Sequence, residues 1–249
     1  MVSLAAEERR AWLLQRLSAL QRVSLAEAAS ELGVSEMTVR RDLDGLELGG
    51  TIRRVRGGAM YTGPVSFHGR EQSQAAEKAT IAEKLLPLVP TSGMIALDSS
   101  TTMHQLAQRI SGSGDLTVVT NGMLTFHALQ ERPGLTAVLT GGAADRRSDS
   151  LVGPVTTGFV SRVHFSAFFA SAASLDERGC HESTLEEAEV KRAIARASER
   201  VLIGVHSEKL GSVSVAHAVD IDEIDTLATE LAPNARDLAA FRRLVSDLR

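Results

Sequence analysis

Residues 22–60 read RVSLAEAASELGVSEMTVRRDLDGLELGGTIRRVRGGAM, and the periodicities inside this stretch decide the fold of the first third of the chain. Ser24 precedes Leu25, Ala28, Ala29 and Leu32, which recur at helical spacing. Glu27 stands three residues after Ser24, the pattern of a capping box, and Gly33 supplies a helix stop. Ser35 is placed to cap the next helix, which buries Val39, Leu43 and Leu46 and ends at Gly49 and Gly50. Two extended runs follow, Thr51–Val55 and Ala59–Tyr61, joined by Gly57 and Gly58. Upstream, Leu13, Leu17 and Leu20 share one face of a first helix. Three short helices and a glycine-turned hairpin predict a winged helix-turn-helix over residues 1–61.

The helix after Ser35 carries chemistry on its outer side. At about 100° per residue, Leu43 and Leu46 fall within about 40° of Val39, while Met37 and Arg41 point almost the opposite way. Thr38, Arg40 and Asp44 flank them, and Asp42 lies towards the core edge, placed to pair with an arginine. Ser35, Met37, Thr38, Arg40 and Arg41 therefore gather at the helix N-terminus, the end that a recognition helix presents to the major groove. The donor fork of arginine suits guanine edges and phosphates. Arg53, Arg54 and Arg56 add a positive strip with no acid between Leu48 and Met60, suited to phosphate contacts from the wing.

The chain has 249 residues, a net charge of −4 and 43% hydrophobic residues, which fits one large or two modest folded domains. Its single cysteine, Cys180, excludes an internal disulfide framework and a cysteine-based zinc cluster. No apolar run is long enough for a membrane span. The charged start, Met1–Arg10, has no apolar segment of the secretory kind. A reduced, cytoplasmic protein is expected. The mean acidity hides an uneven division: residues 1–60 hold nine arginines, no lysine and eight acids, against 18 basic and 23 acidic residues in the remainder.

Thr62–Gln74, rich in Gly, Pro and Ser, reads as a linker, and residues 75–249 as an α/β domain. A helix over Ala75–Val89 buries Ile81, Leu85 and Leu88. A short buried strand at Met94–Leu97 is followed by strands at Leu116–Thr120, Leu135–Thr140, Phe165–Ala170 and Val201–Val205, alternating with helices at Thr102–Ile110, Met123–Glu131 and Leu185–Glu199. Such alternation predicts a mostly parallel sheet with helices on both faces and a ligand site at the strand carboxyl ends. Polar loops stand there: Asp98-Ser99-Ser100-Thr101-Thr102, Thr120-Asn121-Gly122 and Gly141-Gly142. Hydroxyls and backbone N–H groups at a helix start favour an anion such as phosphate. Glu187 and Lys191, four apart, are placed to pair on one helix face, and Lys209 follows a strand where it reaches an anionic ligand. No pattern calls for a metal, a cofactor or a catalytic group.

Residues 22–60 resemble the DNA-binding domain of the DeoR family of bacterial transcription regulators. Ser35-Glu36-Met37-Thr38-Val39-Arg40-Arg41-Asp42-Leu43 carries the likeness, followed at family spacing by Arg53, Arg54, Val55 and Gly57-Gly58-Ala59. The resemblance continues through Phe67, Arg70, Glu77-Lys78, Ile81-Ala82, Asp98, Thr101-Thr102, Thr120-Asn121, Gly141-Gly142, Val152-Gly153-Pro154, Glu187, Lys191, Ser207 and Lys209. It implies an effector domain like the ribose-5-phosphate isomerases. It further implies a homo-oligomer, dimer or tetramer, on double-stranded operator DNA, and repression of a carbohydrate operon relieved by a phosphorylated sugar. The implied effector residues are Asp98, Ser99, Ser100, Thr101, Thr102, Asn121, Gly141, Gly142, Glu187, Lys191 and Lys209. Three places depart from the family pattern: His206 stands where an aspartate is usual, Phe169–Ala173 replaces a Gly-rich segment, and His181-Glu182-Ser183 replaces a Thr-rich loop. The alternatives are a DNA-binding regulator with a ligand-free assembly domain, and a sugar-phosphate isomerase carrying an N-terminal module.

Overall fold

The computed structural model describes residues 6–48, 52–61, 67–112, 114–145 and 148–249. The expected helix stop at Gly49 and Gly50, Thr51, and residues 62–66 of the expected linker lie outside them. The chain divides into two compact units, one ending at Ser66 and the other beginning at Phe67.

The first unit contains α1 (Ala6–Leu20), β1 (Arg22–Ser24), α2 (Leu25–Leu32), α3 (Glu36–Leu48), β2 (Ile52–Val55) and β3 (Gly58–Tyr61). Leu13, Leu17, Leu25, Ala28, Leu32, Val39, Leu43 and Ile52 fill its core, as the helical spacing requires. Leu20, expected on the inner face of α1, is instead exposed, because the helix ends there and the chain turns away. Ser24 caps α2 by accepting the Glu27 N–H, and Ser35 accepts the Thr38 N–H at the start of α3. The short strand β1 pairs with β3, which makes the hairpin one part of a three-stranded sheet in the order β1-β3-β2. Gly58 permits this pairing, since a Cβ there would lie 2.1 Å from the Val23 carbonyl oxygen. The Arg9 Nε–Asp42 Oδ2 pair, at 2.8 Å and buried, ties α1 to α3 and gives Asp42 the structural role expected of it.

The second unit begins with α4 (Phe67–Gln72), α5 (Ala75–Leu85), β4 (Gly93–Leu97), α6 (Thr101–Ala107), β5 (Leu116–Thr120), α7 (Met123–Gln130) and β6 (Leu135–Leu139). It continues through β7 (Ala143–Asp145), β8 (Ser150–Val152), α8 (Pro154–Val160), β9 (Ala167–Ala170), β10 (Ser174–Asp176), β11 (Gly179–Glu182) and α9 (Leu185–Arg196). It closes with β12 (Val201–Gly204), β13 (Ala216–Asp220), β14 (Thr226–Ala228) and β15 (Asp247–Leu248). Seven strands form a fully parallel sheet in the order β15-β14-β12-β9-β4-β5-β6. Side chains alternate across it. Ile95, Leu97, Ala167 and Phe169 pack under α5, α6 and α7, and Ala96, Phe168 and Ala170 pack against α8 and α9. Beside the sheet lie the antiparallel pair β7–β8 and a small sheet ordered β10-β11-β13.

The chain runs from β4 out to β6, then returns to β9 on the other side of β4 and proceeds outward again. The order reverses between β4 and β9, and the crevice at their carboxyl ends is where open parallel sheets take ligands. The expected linker is corrected over residues 67–74. Residues 67–72 form α4, and Phe67 is 2% exposed, with its ring edge-on to His104 of α6 at 5.2 Å between centroids. The sequence showed no period here because a six-residue helix anchored by one aromatic leaves no repeat to read. Likewise the helix from Ala75 stops at Leu85, with Pro87 in the following 3₁₀ turn and Leu88 half-buried. Phe67→Ala is expected to destabilise the second unit by about 3–5 kcal/mol, measured by urea denaturation of the full chain. An unchanged midpoint would return these residues to the status of a tether.

Candidate functional site

In the first unit, the outer side of α3 presents Met37, Arg40 and Arg41, all exposed, with Met37 at 58%. Thr38 is half-buried, its hydroxyl 2.9 Å from Ser35 Oγ. On the wing, Arg53 and Arg56 are exposed. Arg54 differs. Its Nη1 donates to Asp44 Oδ1 at 2.6 Å and to the Arg40 carbonyl at 3.0 Å, and its Nε donates to the Gly58 carbonyl at 3.3 Å. Its backbone N–H donates to Glu47 Oε1 at 2.6 Å. The guanidinium is thus committed to binding α3 to the hairpin, which suits a positioning role better than the phosphate contact expected from the sequence.

In the second unit, the crevice between β4 and β9 is organised by Asp98, the residue that follows β4. Asp98 is 6% exposed; its Oδ1 accepts the Ser100 N–H at 2.9 Å and its Oδ2 accepts the Ser171 N–H at 2.8 Å. Lys191, carried by α9, donates to Asp98 Oδ2 at 2.6 Å and to the Ser171 carbonyl at 2.7 Å, and lies 3.2 Å from Glu182 Oε1. All three ammonium donors are engaged. The expected Glu187–Lys191 pair is therefore replaced: Lys191 turns inward to Asp98 and Glu182, and Glu187 accepts from Ser150 Oγ at 2.6 Å. Burial pushes the Glu182 carboxyl up to about 7, against the pull of Lys191. Lys191 is held above its ordinary range by Asp98 and Glu182, which outweigh its burial.

The loops after β4 and β5 meet beside it, where a Cβ on Gly122 would lie 2.7 Å from the Ser99 Cα. Ser99, Thr101 and Thr102 are buried and Ser100 is half-buried, capping α6 by accepting the Met103 N–H. Asn121 donates through Nδ2 to the Leu151 carbonyl and accepts the Leu151 N–H on its own carbonyl, which fastens β8 over the end of β5. Its Oδ1 is buried without a hydrogen-bond partner, as is Ser171 Oγ. Gly141 and Gly142 take φ values of 75° and 128°, and a Cβ on Gly142 would lie 2.1 Å from Thr156 Oγ1, so the turn into β7 requires glycine.

Four basic groups stand on the neighbouring side. Lys209 donates to the Ala172 carbonyl at 2.5 Å. Lys78 is 4% exposed and donates to the Arg70 and Ser73 carbonyls, and Arg70 donates to the Ser148 carbonyl at 3.2 Å. Burial, then repulsion by Lys209 and Arg70, pushes Lys78 down to about 8. Burial pushes Lys209 down to about 8 even though Glu182 and Asp98 are near. His206 is 9% exposed and is pushed down to about 3 by burial, Lys209 and Lys78, so its imidazole is neutral. Of these four, only Lys209 was expected at the site. Lys78 had a legible signal, since it shares the 78, 81, 82, 85 spacing with Ile81, Ala82 and Leu85, a lysine on an apolar stripe. Glu182 was noted only as part of the His181-Glu182-Ser183 loop; its contact with Lys191 depends on the packing of β11 against α9, which no local spacing shows. Cys180 is fully buried, and burial pushes its thiol up to about 12, which leaves it unreactive.

The neutral His206 predicts a pH effect. The unfolded chain protonates this group near 6.5 and the folded chain near 3, so its stabilising contribution is complete above pH 6.5 and is lost as pH falls towards 3. Glu182, raised in the fold, works in the opposite sense, its contribution being lost as pH rises from 4.5 through about 7. His206→Asn should therefore lose less stability than the parent between pH 7 and pH 5, in denaturant midpoints measured across that range. Parallel midpoints for the two proteins would contradict the buried, neutral imidazole.

Comparison with known proteins follows the same division of the chain. Residues 9–64 match the DeoR-like helix-turn-helix domain and residues 73–231 match the DeoR C terminal sensor domain. The HTH-type transcriptional regulator GolR of Listeria innocua is 30% identical over 228 residues, 90% of this chain and 90% of that one. The putative aga operon transcriptional repressor of Escherichia coli O157:H7 is 29% identical over 243 residues, 95% of this chain and 90% of that one. Ribose 5-phosphate isomerase A of Methanocaldococcus jannaschii aligns with 55% of this chain and 55% of its own at 12% identity and a TM-score of 0.40, a likeness that carries no functional argument. With both domains matched in order and a relative of this similarity aligned over nine-tenths of its length, the chain belongs to the DeoR family of helix-turn-helix transcriptional regulators.

Proposed function

We propose that this regulator is a cytoplasmic repressor of a carbohydrate-catabolism operon, and that a phosphorylated sugar bound in the second unit relieves repression. The observation that carries the effector half is the crevice at the β4–β9 reversal. There Asp98 is held rigid by Lys191, two buried polar atoms lack partners, and lysines gather alongside. A buried polar atom without a partner costs free energy that a bound hydroxyl recovers. The names of relatives support this target: an L-fucose operon activator of Haemophilus influenzae for the sugar, and the aga operon repressor for repression.

DNA reading falls to α3 and the hairpin. Arg40, Arg41 and Met37 face outward at the end of α3 that enters the major groove, and Arg53 and Arg56 serve as wing contacts to phosphate. Two-fold assemblies read repeated half-sites, so the working form is a homo-oligomer. Relief of repression is then a coupling free energy: the sugar phosphate binds the DNA-released arrangement more tightly, and operator DNA weakens its binding by the same factor.

A mobility-shift assay on the DNA upstream of its own gene tests the reading. Retention of that DNA at moderate salt, and its release by one member of a panel of phosphorylated sugars, is the expected result. Absence of retention, or release by none of the panel, rejects it. Within the interface, Arg41→Ala should weaken specific binding by about 1–3 kcal/mol and relax the preference at one base position. Arg53→Ala and Arg56→Ala should each lower the salt slope by about one. Arg54→Ala should weaken binding with the slope unchanged, and a lowered slope for that variant would make it a phosphate contact after all.

A further inference from the structure

β6 ends the parallel sheet, and its outer edge pairs with no other strand among the described residues. The strand reads Leu135-Thr136-Ala137-Val138-Leu139, and residues 133–144 carry no charge. It runs in unbroken register with Leu116–Thr120 of β5, so no bulge twists the edge away. The Thr140 N–H goes to the Thr120 carbonyl of β5. Backbone groups alternate sides along a strand, so Thr136 and Val138 also face β5. Leu135, Ala137 and Leu139 therefore present their N–H and C=O groups outward.

Exposed edges are normally blunted by charge, proline, a bulge or shortness. The opposite edge of this sheet obeys that rule: β15 has two residues, and its Asp247 is paired with Arg249 at 2.7 Å. β6 has none of these protections. Strands of a parallel sheet are ordinarily covered on both faces, and β9 and β12 are buried throughout. In β6, Thr136 is exposed, and Leu135, Ala137, Val138 and Leu139 are only half-buried. An apolar strand is thus left with a row of unpaired main-chain donors and acceptors, which another strand completes.

The composition of the edge selects a second copy of itself. A two-fold axis through Ala137 sets two copies of β6 antiparallel, with Ala137 opposite the partner's Ala137 and Leu135 opposite the partner's Leu139. The outward-facing residues then form the hydrogen-bonded pairs, each exchanging two N–H···O bonds. Thr136 lies across from the partner's Val138 in the closer kind of pair, which brings two β-branched side chains together. With no charge over residues 133–144, self-pairing sets no like charges against each other, whereas a charged foreign strand would find no counter-charge here. The contact is isologous and closes on itself. Resting on the homo-oligomer of the reading above, we infer that β6 pairs with β6 of a second copy and joins the two parallel sheets into one sheet across the two-fold axis.

The test uses the full-length protein, its mass followed by sedimentation over a range of micromolar concentrations. Thr136→Lys places on this edge the charge that protected edges carry, and Ala137→Pro removes an outward N–H that β5 does not use. Each should halve the mass of the parent oligomer or raise its dissociation constant at least tenfold, and Thr136→Ser should keep it within about threefold. A cooperative melt shows that each variant is folded, and Thr136→Lys decides if Ala137→Pro does not fold. Thr136→Cys supplies an accessible thiol, Cys180 being fully buried. Across the axis two such residues are diagonal neighbours about 7–8 Å apart, so a short bis-maleimide should link them into covalent dimers. Glu199→Cys, exposed at the far end of α9, should not be linked. An oligomer that keeps its mass in the folded edge variants, or a Thr136→Cys protein that fails to cross-link, overturns the inference and leaves the homo-oligomer to another surface. A parent that is monomeric throughout removes the homo-oligomer reading and this contact with it.

Discussion

The buried Lys191–Asp98 ion pair is the constraint on which the second unit's site depends. Both groups are nearly inaccessible to water, and taking two charges from water costs several kcal/mol each unless every remaining hydrogen-bond position is filled. They are filled here by four elements at once: the Ser100 N–H after β4, the Ser171 N–H and carbonyl after β9, Glu182 on β11, and the ammonium from α9. The pair adds little to net stability, and its value lies in geometry. A shift of any one element would strand a buried charge, so the strand ends are held in one arrangement. The Lys191 stem passes the Phe168 ring, 5.8 Å from ammonium to centroid, which joins the charged site to the apolar layer beneath.

Two kinds of positive charge coexist in a chain whose net charge is −4. The arginines of α3 and the hairpin are exposed, apart from Arg54, and are available to DNA. Lys78 and Lys191 are buried and Lys209 half-buried, so they contribute little to attraction at long range and much to the local field of the crevice. Net charge therefore describes neither cluster, because neither belongs to the average surface.

Much of the fold was legible because the elements concerned are periodic over enough residues. The 25, 28, 29, 32 and 39, 43, 46 spacings gave α2 and α3, and the five strand-like runs from Met94 to Val205 gave β4, β5, β6, β9 and β12, all of the parallel sheet but β14 and β15. What escaped is short or depends on distant partners. β1 has three residues and exists because Gly58 lets β3 approach it. α4 has one buried aromatic and no repeat. β10, β11 and β13 form a side sheet whose pairing joins residues far apart in the chain. In the crevice, the loops after β4, β5 and β6 could be placed by the rule for parallel sheets, which put Asp98 and Asn121 at strand ends, and Lys209 lies on the turn after β12. The partners of Lys191 could not, because a helical lysine four residues from a glutamate looks like a surface pair until the helix is seen to turn that lysine inward. Arg54 was ambiguous for the same reason, since its neighbours Asp44 and Arg40 lie on another element.

The clasp that Arg54 makes between α3 and the hairpin has a consequence for how the first unit meets its target. A wing that moved freely against its helix would lose conformational freedom on docking, and that loss would subtract from affinity. Held by bonds to Asp44, the Arg40 carbonyl and the Gly58 carbonyl, the helix and the wing arrive already aligned. Most of the ordering has been done at folding, so more of each contact with DNA appears as binding.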